Sequence, residues 1–230
     1  MSAHAATASA NRPLGHRGAT LRPDLQQVAA WIGQGTRVLD LGCGDGALLD
    51  WLARERGCSG YGVEIDDAQV LACTTRGVDV IQQNIEQGLD MFGRRQFEFV
   101  VLSMAIMATQ HTERVVREMG RIGHEAIISF PNFGHWRHVW SLALGRMPMS
   151  TAMPFEWYNT PNLHLATIVD FENFLRTLGM TIVDAAFLDE RGRRVTLMPA
   201  KRASTAIYRF RPDPAAAPEL AAAGVRTIKG

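Results

Sequence analysis

A short apolar strand, Arg37-Val38-Leu39-Asp40-Leu41, runs straight into Gly42-Cys43-Gly44-Asp45-Gly46, after which Leu48, Trp51 and Leu52 recur at helical spacing until Gly57. Glycines at such a junction let the backbone approach a ligand closely and aim the N-terminal amides of the following helix at it. Few arrangements constrain a chain more. A second strand is expected over Tyr61 to Ile65, and it carries Glu64 about 20 residues beyond Gly44, where an acid can accept both hydroxyl protons of a ribose. The chain therefore reads as a nucleoside-binding α/β protein.

The alternation continues downstream. Asp66 is placed to cap a helix carrying Ala68, Leu71 and Ala72 to Gly77, and Val78 to Gln82 follows as a third strand. Phe97 to Leu102 reads as a fourth, Val115, Val116 and Met119 mark a helix, and Glu125 to Phe130 is a fifth strand. Strands separated by helices need right-handed crossovers, so the expected fold is α/β, doubly wound, with a mostly parallel sheet. Trp136 to Ala143 is a further helical segment, and Thr167 with Asp170 opens another that Gly179 ends. Met180 to Phe187 and Ser204 to Phe210 have no helix between them in this reading and are expected to close the sheet as an antiparallel hairpin. Asp24 to Ile32 forms a short helix over the edge of the domain. The expected organisation is a disordered leader over 1–22, one domain over 23–210 with an aromatic insertion at 145–165, and a disordered tail over 211–230.

Composition narrows the partners. Of 230 residues 47% are hydrophobic, enough for one buried core, and 24 Lys plus Arg against 23 Asp plus Glu leave no field that draws the chain to nucleic acid or an anionic membrane. No apolar run approaches the ~20 residues that cross a bilayer. Cys43, Cys58 and Cys73 show neither a disulfide framework nor zinc spacing, so no metal site is expected.

The glycine pattern alone fits both a nicotinamide dinucleotide and S-adenosylmethionine. Asp40 helps to decide, because a carboxylate at the strand tip repels a diphosphate, whereas the sulfonium and ammonium of S-adenosylmethionine are favoured by acids at Asp40 or Asp45. Asp40 also suits the simpler task of accepting amide bonds within the turn, and the two roles are compatible.

Val38-Leu39-Asp40-Leu41-Gly42-Cys43-Gly44-Asp45-Gly46 resembles the first motif of class I S-adenosylmethionine-dependent methyltransferases, with Glu64 matching the ribose-binding acid. More narrowly, Arg22-Pro23-Asp24-Leu25, Gly60 to Asp66, Gly77 to Gln83, Ser129 to Arg137 and Glu156 to Leu165 are similar to the methionine-biosynthesis MetW proteins. The resemblance implies a seven-stranded methyltransferase sheet, a cytoplasmic location, and a homoserine O-acyltransferase (MetX-type) as partner. It implies that S-adenosylmethionine or S-adenosylhomocysteine is held by Asp40, Gly42, Cys43, Gly44, Asp45, Gly46, Glu64, Ile65 and Asn84. Asn84 departs from the acid that methyltransferases commonly place there, although a carboxamide oxygen still accepts from the adenine amino group. The stretch Ser103 to Ala108 is unusually apolar for a substrate-contacting loop.

Candidate bases for methyl transfer are His111, His135, His138, His164, Glu156 and Tyr158, of which Glu156, Tyr158 and His164 lie in the insertion that could roof the cleft. His135 and His138 sit at surface-helix spacing and suit a solvated or packing role. Phe155, Trp157 and Tyr158 form an aromatic stripe suited to a core satellite, a loop anchor, a pocket wall or a docking surface, and Arg191, Arg193, Arg194, Lys201 and Arg202 form a basic cluster on the terminal hairpin. Two functions remain open: an auxiliary subunit that binds S-adenosylmethionine and supports or regulates homoserine O-acyltransferase, and an active methyltransferase with a small-molecule acceptor.

Overall fold

The computed structural model describes residues 20–150, 153–154, 156–160 and 164–214. In chain order they form α1 (Pro23–Trp31), β1 (Arg37–Leu41), α2 (Ala47–Arg56), β2 (Ser59–Glu64), α3 (Asp67–Arg76), β3 (Val80–Gln82), β4 (Phe97–Ser103), a 3-10 turn (Ile106–Ala108), α4 (Thr112–Ile122), β5 (Gly123–Pro131), α5 (Trp136–Ala143), α6 (Ile168–Thr177), β6 (Met180–Leu188), α7 (Pro199–Arg202) and β7 (Thr205–Pro212).

The strands make one seven-stranded sheet in the order β3-β2-β1-β4-β5-β7-β6. The first five pair in parallel, and β7 enters antiparallel between β5 and β6. The order reverses at β1, whose neighbours are β2 and β4, and in open α/β sheets the ligand crevice opens at the carboxyl ends of the strands flanking that switch. The glycine turn stands there.

Strand alternation sorts the apolar side chains onto two faces. Leu39, Leu41, Val100, Leu102 and Ile128 pack with Val115, Val116 and Met119 of α4 and Phe171 and Leu175 of α6. Val38, Val101, Ile127 and Ile207 pack on the other side with Val28 and Ile32 beside α1 and Leu48 and Leu52 of α2. By the same alternation Asp40 faces the side of Val38. It is a carboxylate beneath a turn in an otherwise apolar layer.

Local signals set the ends of the helices. Asp66 accepts the Gln69 N–H at 2.9 Å, and Gly57 and Gly77 end α2 and α3 in left-handed backbone. Thr167 Oγ1 accepts the Asp170 N–H at 3.2 Å while donating to the Asp170 carboxylate at 2.7 Å, a reciprocal cap.

Several sequence expectations are corrected. The expected C-terminal antiparallel pair is present as β6 and β7, but its connection, expected to hold no helix, holds α7, whose four residues are too few to show helical periodicity. β7 runs two residues past the expected end of the domain at Phe210, to Pro212, because the antiparallel ladder with β6 continues there. The last residues of the expected leader are also structural, since Leu21 is buried against the α1 side of the core and Arg22 makes polar contacts described below. Residues 1–19 and 215–230 lie outside the described residues. So does Phe155 of the aromatic stripe.

Candidate functional site

Gly42, Gly44 and Gly46 all adopt left-handed backbone, with φ of 65°, 56° and 74°. A Cβ on Gly46 would lie 3.0 Å from the Cys73 sulfur, so the turn accepts glycine there on grounds of both space and conformation. The loop is drawn down onto β2: the Gly42 and Cys43 amides donate to the Val63 carbonyl at 2.7 and 3.2 Å.

Glu64 holds the opposite rim. Its Oε2 accepts the Gly44 N–H at 2.8 Å, and its Oε1 accepts the N–H groups of Ile65 and Asp66 at 2.8 and 3.1 Å. Two carboxylate oxygens offer about four lone-pair positions, of which these three amides take three, so acceptor capacity remains for a hydroxyl proton. Ile65 follows with 61% of its surface exposed. Asn84 stands two residues beyond β3, half-buried; its Oδ1 accepts the Glu86 N–H at 2.9 Å, and its NH2 group makes no hydrogen bond among the described residues.

Asp40 is 2% exposed, and its Oδ1 has no hydrogen-bond partner among the described residues. Burial pushes its carboxyl up to about 7; the Arg22 guanidinium opposes the rise, and Glu64 and Asp24 add to it. Three acids thus converge on the floor of the turn, facing one arginine. Asp24 is itself buried, accepting from Arg22 at 3.2 Å and from the Ser103 hydroxyl at 2.9 Å, and Ser103 meets Ser129 at 3.0 Å. Ser103 ends β4, and the next residue, Met104, has φ of 58°, a strained conformation for a side chain of that size. Arg22, Asp24 and Ser103 are site residues that periodicity and spacing did not single out. The signal available was polar: an Arg-Pro-Asp run just ahead of an amphipathic helix.

Asp45 is committed locally, to an ion pair with Arg76 and to the Ala47 amide at 3.2 Å. Cys43 and Cys73, which no spacing rule pairs, bring their sulfurs to 3.6 Å as free thiols, and Cys73 donates to the Gly44 carbonyl at 3.0 Å. Donating its proton toward the Cys73 sulfur and burial both raise the Cys43 thiol, keeping it neutral beside the acids. Cys43 also fills the space where a Gly62 Cβ would sit, 2.4 Å from its sulfur.

The candidate bases disperse. His164 lines a cavity of about 1220 Å³ between α4 and α6, with Arg94, His111, Arg117 and Phe174, and that wall includes none of the turn residues, Glu64 or Asn84. Glu156 is exposed, and Tyr158 is 69% exposed with its ring edge-on to Trp157 at 5.7 Å. His135 and His138 are buried, at 5% and 1% exposure, which corrects the solvated alternative and leaves packing. Burial lowers both imidazoles, and each sits 5.5 Å from the other. Among the described residues no group of three or more His, Cys, Asp or Glu could hold a metal ion, and no helix is long and apolar enough to cross a membrane.

Comparison with known proteins follows the same lines. The family model "Methionine biosynthesis protein MetW" matches residues 22–210. The chain belongs to the MetW family. A bifunctional methionine biosynthesis protein MetXA/MetW from Rhodopirellula baltica is 34% identical over 206 residues, which is 83% of this chain and 33% of that protein, so the chain spans about a third of its relative's length. Solved structures share the fold at low identity. A S-adenosylmethionine-dependent methyltransferase from Mesorhizobium loti is 16% identical with a TM-score of 0.63, covering 83% of this chain and 98% of its own. One from Archaeoglobus fulgidus is 14% identical with a TM-score of 0.61, covering 81% and 90%. The [4+2]-cyclase SpnF is 17% identical with a TM-score of 0.59, covering 83% and 81%. The MetW sheet is therefore the class I methyltransferase sheet, and a protein described as a cyclase carries it too.

Proposed function

We propose that this MetW-family chain binds S-adenosylmethionine at the glycine turn and supports or regulates a MetX-type homoserine O-acyltransferase. The observation that carries the ligand is the buried Asp40 carboxylate with one unpaired oxygen, set beside Asp24 and Glu64 against Arg22 alone. A buried acid without a partner is unfavourable until a cation or donor reaches it. S-adenosylmethionine brings both a sulfonium and an ammonium; a dinucleotide brings a diphosphate, which three acids repel.

The residues fit that group. Glu64 accepts a ribose hydroxyl proton at its remaining acceptor position, Gly42 and Gly44 let the backbone approach, Ile65 offers an apolar surface to the adenine, and the Asn84 carboxamide meets its amino edge. Asp40 faces the positive end, with Cys43, Asp45 and Gly46 holding the loop in shape, and Arg22 pairs with the ligand's carboxylate. S-adenosylhomocysteine lacks the methyl group and with it the sulfonium charge, and keeps the ribose, adenine and amino-acid contacts. When bound, S-adenosylmethionine would supply an electrophilic methyl group.

The partner rests on the fused relative, whose name joins MetXA and MetW in one chain. Fusion keeps two modules at high effective concentration, an advantage only if they work together. A cytoplasmic location belongs to the same reading. For the ligand to act as a signal, it must bind the paired and free states with different affinity. Gel filtration of the chain with the same organism's MetX-type acyltransferase, and acyltransferase rates with and without S-adenosylmethionine, test this. A complex and an altered rate are expected; no complex and no change in rate would overturn it.

Methyl transfer to a small acceptor is the second reading, favoured by the shared sheet. SpnF has that sheet as well, so fold alone does not decide. Appearance of S-adenosylhomocysteine only when an acceptor is added would establish it.

A further inference from the structure

Helix α5 is inside out. Its buried residue is a histidine, His138, whereas Trp136, Val139, Trp140 and Leu142 are 53%, 46%, 63% and 42% exposed. Trp136, Val139, Trp140, Ala143 and Leu144 recur at the i, i+3, i+4, i+7, i+8 spacing that builds a core-facing stripe, and here that stripe faces outward, ending on Leu144 at 62% exposure. The inward side is held by other means: His138 lies against Phe133, with ring centroids 5.9 Å apart, and His135 caps the helix by accepting the Arg137 amide at 3.4 Å.

Two tryptophans one turn apart at solvent are costly to leave wet and are the residue type most enriched where protein partners meet. Met147 and Met149, 52% and 51% exposed, extend the apolar sequence beyond the helix, and methionine adapts well to a partner's surface. The rim is charged, with Arg137 lying over the Trp136 ring at 5.5 Å and paired to Glu190 of the β6–β7 connection at 3.1 Å. An apolar centre with a charged rim is the layout of a protein–protein interface.

We infer that the outward face of α5, centred on Trp136, Trp140 and Leu144, is the surface on which the MetX-type acyltransferase docks. This rests on the functional reading above and adds the place of contact. The occupant follows from the fused relative, in which about two thirds of the chain lies outside the stretch matched here and is named for MetXA. A domain held permanently beside that neighbour has a standing cover for an apolar face. Among the described residues no hydrogen bond or ion pair joins α5 to the glycine turn, so docking and nucleoside binding can be changed by different substitutions.

The test titrates the acyltransferase with the wild-type chain, with Trp140→Asp/Leu144→Asp, and with Met91→Asp, an exposed residue of the β3–β4 connection used as control. Both substituted side chains are already solvent-facing, so the thermal midpoint and S-adenosylmethionine affinity should stay at wild-type values. The expected result is a complex with the wild type and with Met91→Asp, weakened at least 100-fold by the double substitution. A complex that survives the double substitution within threefold overturns the docking face and leaves the functional reading standing. If the wild type dimerises and the double variant does not, while acyltransferase binding is unchanged, the face belongs to a second copy and the inference is wrong. Absence of any wild-type complex removes the functional reading itself, and this inference with it.

Discussion

Glu64 and Gly44 are joined across twenty positions of sequence: the Glu64 Oε2 accepts the Gly44 amide hydrogen at 2.8 Å, while its other oxygen gathers the amides of Ile65 and Asp66. One carboxylate thereby ties the middle of the turn to the end of β2. Glu64→Ala is expected to weaken S-adenosylmethionine binding by at least tenfold, about 1.4 kcal/mol. It also releases the Gly44 amide. Glu64→Gln should lose affinity as well, because its NH2 end must face an amide donor on one side or the other. Unchanged affinity in calorimetric titration of either variant would reject the role.

Asp40 gives a pH signature. Its folded-state carboxyl lies at about 7 against an ordinary 3.8, so between those values the folded chain holds a proton that the unfolded chain has released. Its contribution to stability is therefore present below 3.8 and lost as pH rises through 7, and ionising it in the ligand-free protein costs on the order of 4 kcal/mol. A bound cation favours the ionised form, so affinity for S-adenosylmethionine should climb with pH up to about 7 and level off above it. Asp40→Asn is expected to raise the ligand-free thermal midpoint at pH 8, weaken binding, and flatten the dependence on pH. A midpoint at pH 8 that falls, together with undiminished affinity, would contradict this.

The His135–His138 pair acts in the opposite direction. Burial depresses both imidazoles below 6.5, so the unfolded chain takes up protons that the folded one resists. Their contribution to stability is present above 6.5 and lost as pH falls toward the lower folded-state values. Asp40 masks this in the wild type. In an Asp40→Asn background, midpoints measured from pH 7.5 down to pH 5 should fall, and replacing both histidines with Gln should reduce that fall; equal slopes would show that the pair does not titrate as described.

Gly62 lies under the turn with no room for a side chain, since a Cβ would meet the Cys43 sulfur at 2.4 Å. Gly62→Ala forces Cys43 upward into the turn and should cost about 2 kcal/mol, or some 6 °C in thermal midpoint for a chain of this size. Cys43→Ala in the same chain opens that space and should recover most of the loss. Failure of the second change to rescue the first would place the strain elsewhere.

The binding half of the fold was legible because its signals are local. A strand, three glycines, a helix stop at Gly57 and an acid at Glu64 all fall within a short stretch, and periodicity placed β1, β4 and β5 near their observed bounds. Long-range geometry was not legible. Periodicity cannot show that Asp24 reaches Ser103 at the end of β4, nor that Cys43 and Cys73 meet, because both contacts depend on how α1 and α3 pack rather than on spacing. The α7 turn was too short to register, and His135 and His138 misled because α5 presents its apolar side to solvent, inverting the usual relation between pattern and burial. Glu156, Tyr158 and His164 were singled out by residue type and by their place in the aromatic insertion, and neither carries a direction.

The most direct test of the central claim, that the glycine turn is built for a positively charged adenosyl amino acid, is a pair of calorimetric titrations at pH 7.5 with S-adenosylmethionine and with NAD. The expected result is saturable one-to-one binding of S-adenosylmethionine, weakened at least tenfold by Glu64→Ala, with no measurable binding of NAD. Saturable binding of NAD that depends on Glu64, or no binding of S-adenosylmethionine, would contradict it.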